Sequence, residues 1–372
     1  MADTPTYWDY LQLEPLLNLQ GGLEGDEDLL VPDELHFIIT HQTFELWFKL
    51  VLRSIRLARD HLAAPKVAED TIPHVSHHLR RVSMIFRLGV GQFEVMETLT
   101  PQDFLGFRDK LVPSSGFQSF QMREIEILLG LEESQRILYG KTHPLKHIKQ
   151  LASQSKGGAN AWGKIEQTRS EANLLSVLND WLYRTPIQGS TPEMDDDDES
   201  VHAFIESYLA ASRDNMDQNL VRLTQALGTI DADEVSKLEE RFAGIRAAAR
   251  SFLLAEDVQP EYQHRAKRIR AAVLFIESYR TLPLLAWPRL LLDVIVEVEE
   301  QLVLWRHRHV RMVERVIGRR VGTGGSGGVD YLTKTLNYRV FRDLWAVRTV
   351  LLPPRLLPEL KHPEIYGFAQ KR

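Results

Sequence analysis

Apolar side chains recur at steps of three and four along almost the whole chain, and no hairpin signal or strand–helix alternation interrupts them. A chain written this way buries a stripe of each helix rather than one face of a sheet. From Asp33 to His61 the stripe runs through Leu35, Phe37, Ile38, Phe44, Phe48, Val51, Ile55 and Leu57 without internal glycine or proline, predicting one long amphipathic helix. A second helix is predicted from Ile72 to Leu99. A third opens at Thr100-Pro101-Gln102-Asp103, where Thr is a natural N-cap, Pro suits the first helical position and Asp complements the positive helix end. Further helices are predicted over 117–131, 166–183, 201–227, 233–255, 261–281, 288–317 and 330–351, while periodicity fades between residues 142 and 163. The expected architecture is all-α: one domain over residues 1–372, with a mobile, solvated acidic linker at about 185–200.

Composition narrows the chemistry. The 372 residues contain no cysteine, which excludes disulfides, thiolate nucleophiles, Cys-ligated zinc, iron–sulfur clusters and thiolate-bound haem. Any metal must sit on His, Asp, Glu, Tyr or Met, which directs attention to the 13 histidines. A net charge of −6, with both signs mixed throughout, excludes a general nucleic-acid binder. The most apolar stretch, 282–305, carries Arg289, Asp293, Glu297, Glu299 and Glu300, so no membrane span is expected. With no signal-like N-terminus, the expected location is cytoplasmic.

Several residues carry candidate chemistry. Trp305, His309, Met312, Val313 and Val316 share one helical stripe, so His309 faces the interior; a hydrogen-bonded core histidine and an iron ligand both fit. His41 shares a face with Phe37, Phe44 and Phe48, an environment suited to a flat aromatic ligand or to plain core packing. Arg108 follows Phe104 and Phe107, and its guanidinium can clamp a carboxylate or form an ion pair. The glycine-dense segment 322–328 matches the G-x-G-x-x-G and G-x-S-x-G patterns literally. Both require a preceding strand, and here a long helix leads in. The segment therefore reads as a flexible connector, or as a loop whose N–H groups and Thr323 hydroxyl close over a small polar ligand.

Six segments in order resemble the tryptophan 2,3-dioxygenase family: Tyr7-x-x-Tyr10-Leu11-x-Leu13; Asp33-Glu34-Leu35-x-Phe37-Ile38 leading to His41-Gln42-x-x-Glu45-Leu46-Trp47-Phe48-Lys49; Asp103-Phe104-x-x-Phe107-Arg108; Pro113-x-Ser115-Gly116-Phe117-Gln118-Ser119; Trp305-Arg306-x-x-His309-Val310-x-Met312-Val313; and Gly322-Thr323-Gly324-Gly325-Ser326 with Tyr331-Leu332 after it. The resemblance implies a multi-helix haem-binding domain with one haem b per subunit. His309 would be the axial iron ligand and His41 the group that meets the indole nitrogen. Phe37 and Phe104 would line the indole pocket, with Ser115 beside the haem pocket. Arg108 would pair with the substrate carboxylate, and Thr323 would hold its amino-acid end. Tyr7 would come from a neighbouring subunit of a homotetramer. The implied reaction cleaves the indole C2–C3 bond of L-tryptophan with O2, both oxygen atoms entering N-formyl-L-kynurenine. Departures at Pro32, Ser114 and Ser326-Gly327 motivate an alternative, a haem-dependent mono-oxygenase of a substituted tryptophan in a specialised pathway. A haem-binding sensor or carrier without turnover is a third expectation.

Overall fold

A computed structural model describes residues 4, 6–138, 143–228, 232–324 and 327–367. Among these the backbone is helical, and the one extended pairing is an isolated bridge between Ile187 and Ser190. The chain opens with two short helices, α1 (Tyr7–Leu11) and α2 (Leu13–Leu17). Then come α3 (Pro32–Leu62), α4 (Ile72–Met96) and α5 (Pro101–Phe107), close to the predicted bounds. Thr100 caps α5, its hydroxyl oxygen accepting from the Asp103 N–H at 3.2 Å. Next are α6 (Phe120–Leu129), α7 (Pro144–Ala152), α8 (Lys156–Arg169) and α9 (Leu174–Arg184). The long α10 (Asp197–Leu227), α11 (Ala232–Leu253), α12 (Pro260–Ser278) and α13 (Ala286–Ile317) precede the short α14 (Val329–Thr335) and α15 (Arg342–Ala346).

Four predicted elements differ. The helix expected over 166–183 is two, because α8 ends at Arg169 with Ser170 as its C-cap and α9 begins at Leu174. Helices α7 and α8 occupy the stretch where periodicity fades, because Gly157, Gly158 and Gly163 dilute the apolar pattern while the Ser155 hydroxyl caps the Gly158 N–H at 3.0 Å. There Leu145, Ile148 and Ile165 form a small core of their own. The helix expected over 330–351 breaks after Thr335, whose carbonyl accepts from Arg306 Nη1 at 3.0 Å. The acidic run expected as a solvated linker instead starts α10 at Asp197. That carboxylate is buried, 3.0 Å from Arg268 Nη1, and accepts from the Ser190 hydroxyl at 2.7 Å.

Two compact units emerge: residues 1–57, 78–173 and 297–340 in the first, and 58–77, 174–296 and 341–372 in the second. The first has an aromatic core of Phe44, Phe48, Phe93 and Trp305, their rings 4.9–6.1 Å apart where α3, α4 and α13 meet. The second is built around Phe204, Tyr208, Phe275, Tyr279 and Tyr366. Every residue of the candidate site described next lies in the first unit.

Candidate active site

A cavity of about 540 Å³ opens within the first unit, in the ~300–1,000 Å³ range of small-molecule and cofactor sites. Seven of the eight singled-out residues line it: Phe37, His41, Phe104, Arg108, Ser115, His309 and Thr323. Tyr7 does not. It stands 71% exposed on α1.

Two imidazoles reach this cavity from different helices. On α3 the His41 Nδ1 lies 2.7 Å from the Phe37 carbonyl. A carbonyl can only accept, so Nδ1 carries the proton and Nε2 keeps its lone pair. Burial pushes the His41 pKa down against this bond, which favours the neutral ring. Phe37 packs on the imidazole at 4.0 Å and forms an aromatic corner with Phe104 and Phe107 at 5.9 and 5.6 Å. On α13, His309 packs against both Phe93 and Trp305, at 5.6 and 5.3 Å. Its pKa is pushed down to about 4, chiefly by burial, so it too is a neutral ring with an available lone pair.

Part of the rim is polar. The Arg108 Nη2 donates to the Val321 carbonyl at 2.6 Å, while its Nε is buried without a partner. The Thr323 hydroxyl donates to the Ser114 carbonyl at 2.5 Å, folding the start of the glycine segment onto residues 113–116. Only glycine allows this at position 324, because a Cβ there would sit 2.8 Å from the Ser115 Cβ. The Ser115 hydroxyl is occupied, accepting from the Phe117 N–H at 3.2 Å. Gly325 and Ser326 lie outside the described residues.

Sequence reasoning missed one feature of the wall. Glu126 on α6 is surrounded by three guanidiniums: Arg136 at 2.6 Å, Arg306 at 2.7 Å and Arg123 at 3.2 Å. Burial pushes its carboxyl up, but the three cations outweigh that and hold it near about 2. Arg123, Glu126 and Arg306 line the cavity. Glu126 is the one carboxylate paired with them among the described residues, so the wall carries surplus positive charge. The buried Arg123 Nε and Trp305 Nε1 have no hydrogen-bond partner. The sole sequence signal was the i, i+3 spacing of Arg123 and Glu126, since Arg136 and Arg306 join only in three dimensions.

Fold and cavity together define a class: an all-helical scaffold with an aromatic pocket that a neutral imidazole enters from each of two long helices. The sequence model for the family described as tryptophan 2,3-dioxygenase matches residues 2–351. The chain belongs to the tryptophan 2,3-dioxygenase family. A protein named tryptophan 2,3-dioxygenase from Sorangium cellulosum is 45% identical over 368 residues, covering 97% of this chain and 87% of that protein. Tryptophan 2,3-dioxygenase 2 of Ralstonia nicotianae is 44% identical over 371 residues, 98% of both chains. Similarity extends to a protein named tryptophan 2,3-dioxygenase in Dictyostelium discoideum, at 32% over 364 residues, 95% of this chain and 85% of that one.

Proposed function

We propose that this chain is a haem-dependent dioxygenase that cleaves the indole C2–C3 bond of L-tryptophan with O2 to give N-formyl-L-kynurenine. The observation that carries the reading is the pair of neutral imidazoles, His41 and His309, facing one aromatic cavity with a cationic wall. The donor set fits haem b, one per subunit. No group of three metal-ligating His, Asp or Glu side chains occurs among the described residues, so iron held by His309 would take its other ligands from a macrocycle. The surplus charge around Glu126, with the free Arg123 Nε and Trp305 Nε1, suits the two carboxylate side chains of haem b. When bound, haem supplies the iron at which O2 is activated.

The protein's own residues do the rest by placement. His309 would hold the haem iron. The unprotonated Nε2 of His41 accepts a hydrogen bond from the indole N–H, and Phe37 and Phe104 hold the ring against it. Arg108 binds the substrate carboxylate, Thr323 the amino-acid end, and Ser115 supports the closed segment beside the haem pocket. The apolar walls keep water out. Both atoms of O2 appear in the product, so no external reductant enters the balance.

This reading includes a homotetramer in which Tyr7 of one subunit completes a neighbour's pocket. Outward-facing Ile39, Leu46 and Leu50 on α3, with Met84, Leu88 and Val95 on α4, are exposed in the single chain and suit subunit contacts. No described helix is long and apolar enough to cross a membrane, and a cytoplasmic site of action goes with the reading.

Mass analysis of the product from L-tryptophan and 18O2 tests the reaction. Two labelled atoms are expected, whereas one would make the chain a mono-oxygenase. A His309→Ala protein that retained full haem would overturn the cofactor assignment. Mixing Tyr7→Ala with His309→Ala subunits tests arm sharing: activity above either parent is expected, because a haem-competent pocket then receives a normal arm.

A further inference from the structure

The residues from Tyr7 to Leu19 expose nearly every large apolar side chain they carry, including Tyr7, Trp8, Tyr10, Leu17 and Leu19, each more than 60% exposed. Just beyond them the chain changes character. Gln20 is buried, and its side-chain amide donates to the Gln42 Oε1 at 2.7 Å and to the Leu16 carbonyl at 3.1 Å. Gln42 Nε2 in turn donates to the Leu19 carbonyl at 2.9 Å. Gln42 immediately follows His41. A tight turn comes next, in which a Cβ on Gly21 would strike the Gly25 backbone carbonyl carbon at 2.5 Å. Then Glu24 meets Lys110 Nζ at 2.6 Å, and Lys110 also reaches the buried Glu34 at 3.0 Å. Lys110 stands two residues after Arg108.

We infer that Gln42 and Lys110 are positioning residues that root the N-terminal arm on the elements carrying His41 and Arg108, and thereby set its delivery to a neighbouring subunit's pocket. The inference rests on the arm-sharing reading above. An arm held at Gln20 by side-chain amide bonds has a short free tether to Tyr7, and a short tether keeps Tyr7 at high effective concentration near its target. Releasing both clamps moves the next attachment to the start of α3. That roughly doubles the tether and, at a −3/2 power of length, lowers effective concentration about threefold. Neither residue touches substrate in this arrangement. The clamps act through the arm, so their loss weakens substrate binding without changing the turnover of a filled site.

The test uses the haem-loaded, full-length oligomer. In Gln42→Leu/Lys110→Met, the KM for L-tryptophan is expected to rise about threefold, with kcat within about twofold of wild type, an unchanged Soret band and faster amide exchange over residues 13–26. Gln42→Glu, which keeps the acceptor for Gln20 but loses the donor to Leu19, should fall between wild type and Gln42→Leu in both exchange and KM. Faster arm exchange with an unchanged KM overturns the proposal, as does unchanged exchange. If the double variant does not fold, Gln42→Leu and Lys110→Met are read singly by the same two criteria. The mixed-subunit experiment keeps the two ideas apart: recovered activity there with no KM effect here sinks only the clamps, while no recovery there sinks arm sharing itself.

Discussion

Two buried arginine clusters, one in each compact unit, look alike in composition and differ in balance. In the second unit Arg268 lies against Asp197 and donates to the carbonyls of Tyr183 and Thr185 at 2.8 and 3.0 Å. Its neighbour Arg270 meets two carboxylates, Asp257 at 3.0 Å and Asp343 at 3.1 Å. Each arginine there has at least one carboxylate of its own, and the cluster ties loops to helices. In the first unit one carboxylate, Glu126, serves three guanidiniums, and the cluster lines a cavity. A balanced buried cluster is structure. An unbalanced one against an open volume is arranged for an anionic ligand, because desolvated like charges repel until a counter-charge arrives.

The sharpest way to break this contrast is a matched pair of neutralisations. Glu126→Gln and Asp197→Asn each strip a buried ion pair and should cost about 3–5 kcal/mol in the haem-free protein. Haem should recover part of the loss only for Glu126→Gln, because the cofactor's carboxylates replace some of the missing negative charge. Thermal unfolding with and without haem reads this, and an equal haem-induced gain in both variants ends the comparison.

Acid titration probes the same node. In the folded chain the Glu126 carboxyl titrates at about 2, against an ordinary 4.5. Its stabilisation is therefore complete above about pH 4.5 and lost as pH falls from there toward 2, on the order of 3 kcal/mol in total. Haem-free wild type should lose stability steeply across that window and Glu126→Gln much less, as followed by circular dichroism.

A smaller effect separates the two units by function. Arg108→Met should raise the KM for L-tryptophan about 10- to 100-fold, through loss of charge-assisted hydrogen bonds to its carboxylate. Arg270→Met should leave that KM unchanged in whatever fraction stays folded. Smallest of all, Gly324→Ala forces the closed segment off Ser115 and should cost about 1 kcal/mol, some fivefold in KM, with the haem spectrum unaltered. A Gly324→Ala enzyme with wild-type KM would mean that the segment's closeness to Ser115 has no bearing on substrate.

Much of the site was legible before any fold was known, because helix phase is local. Steps of three and four put His41 on one face with Phe37 and His309 on one face with Trp305, and both faces line the cavity. The Thr100 cap and the start of α5 were equally legible, since a cap is a contact between residues three apart. Less legible were α7 and α8, whose glycines blur the periodicity, and the break after Thr335, where a side chain from α13 takes the carbonyl.

By itself the sequence determined an all-helical chain, the imidazoles and aromatic rings that face inward, and the absence of thiolate chemistry, all properties of composition or of neighbours within a turn or two. Tertiary structure alone decided that Glu126 and Arg306, 180 residues apart, would share a hydrogen bond, that Asp197 would be buried on Arg268, and that Thr323 would fold onto Ser114. Burying a charge or closing a loop is favourable only when a specific distant partner arrives, and periodicity carries no information about which partner that is.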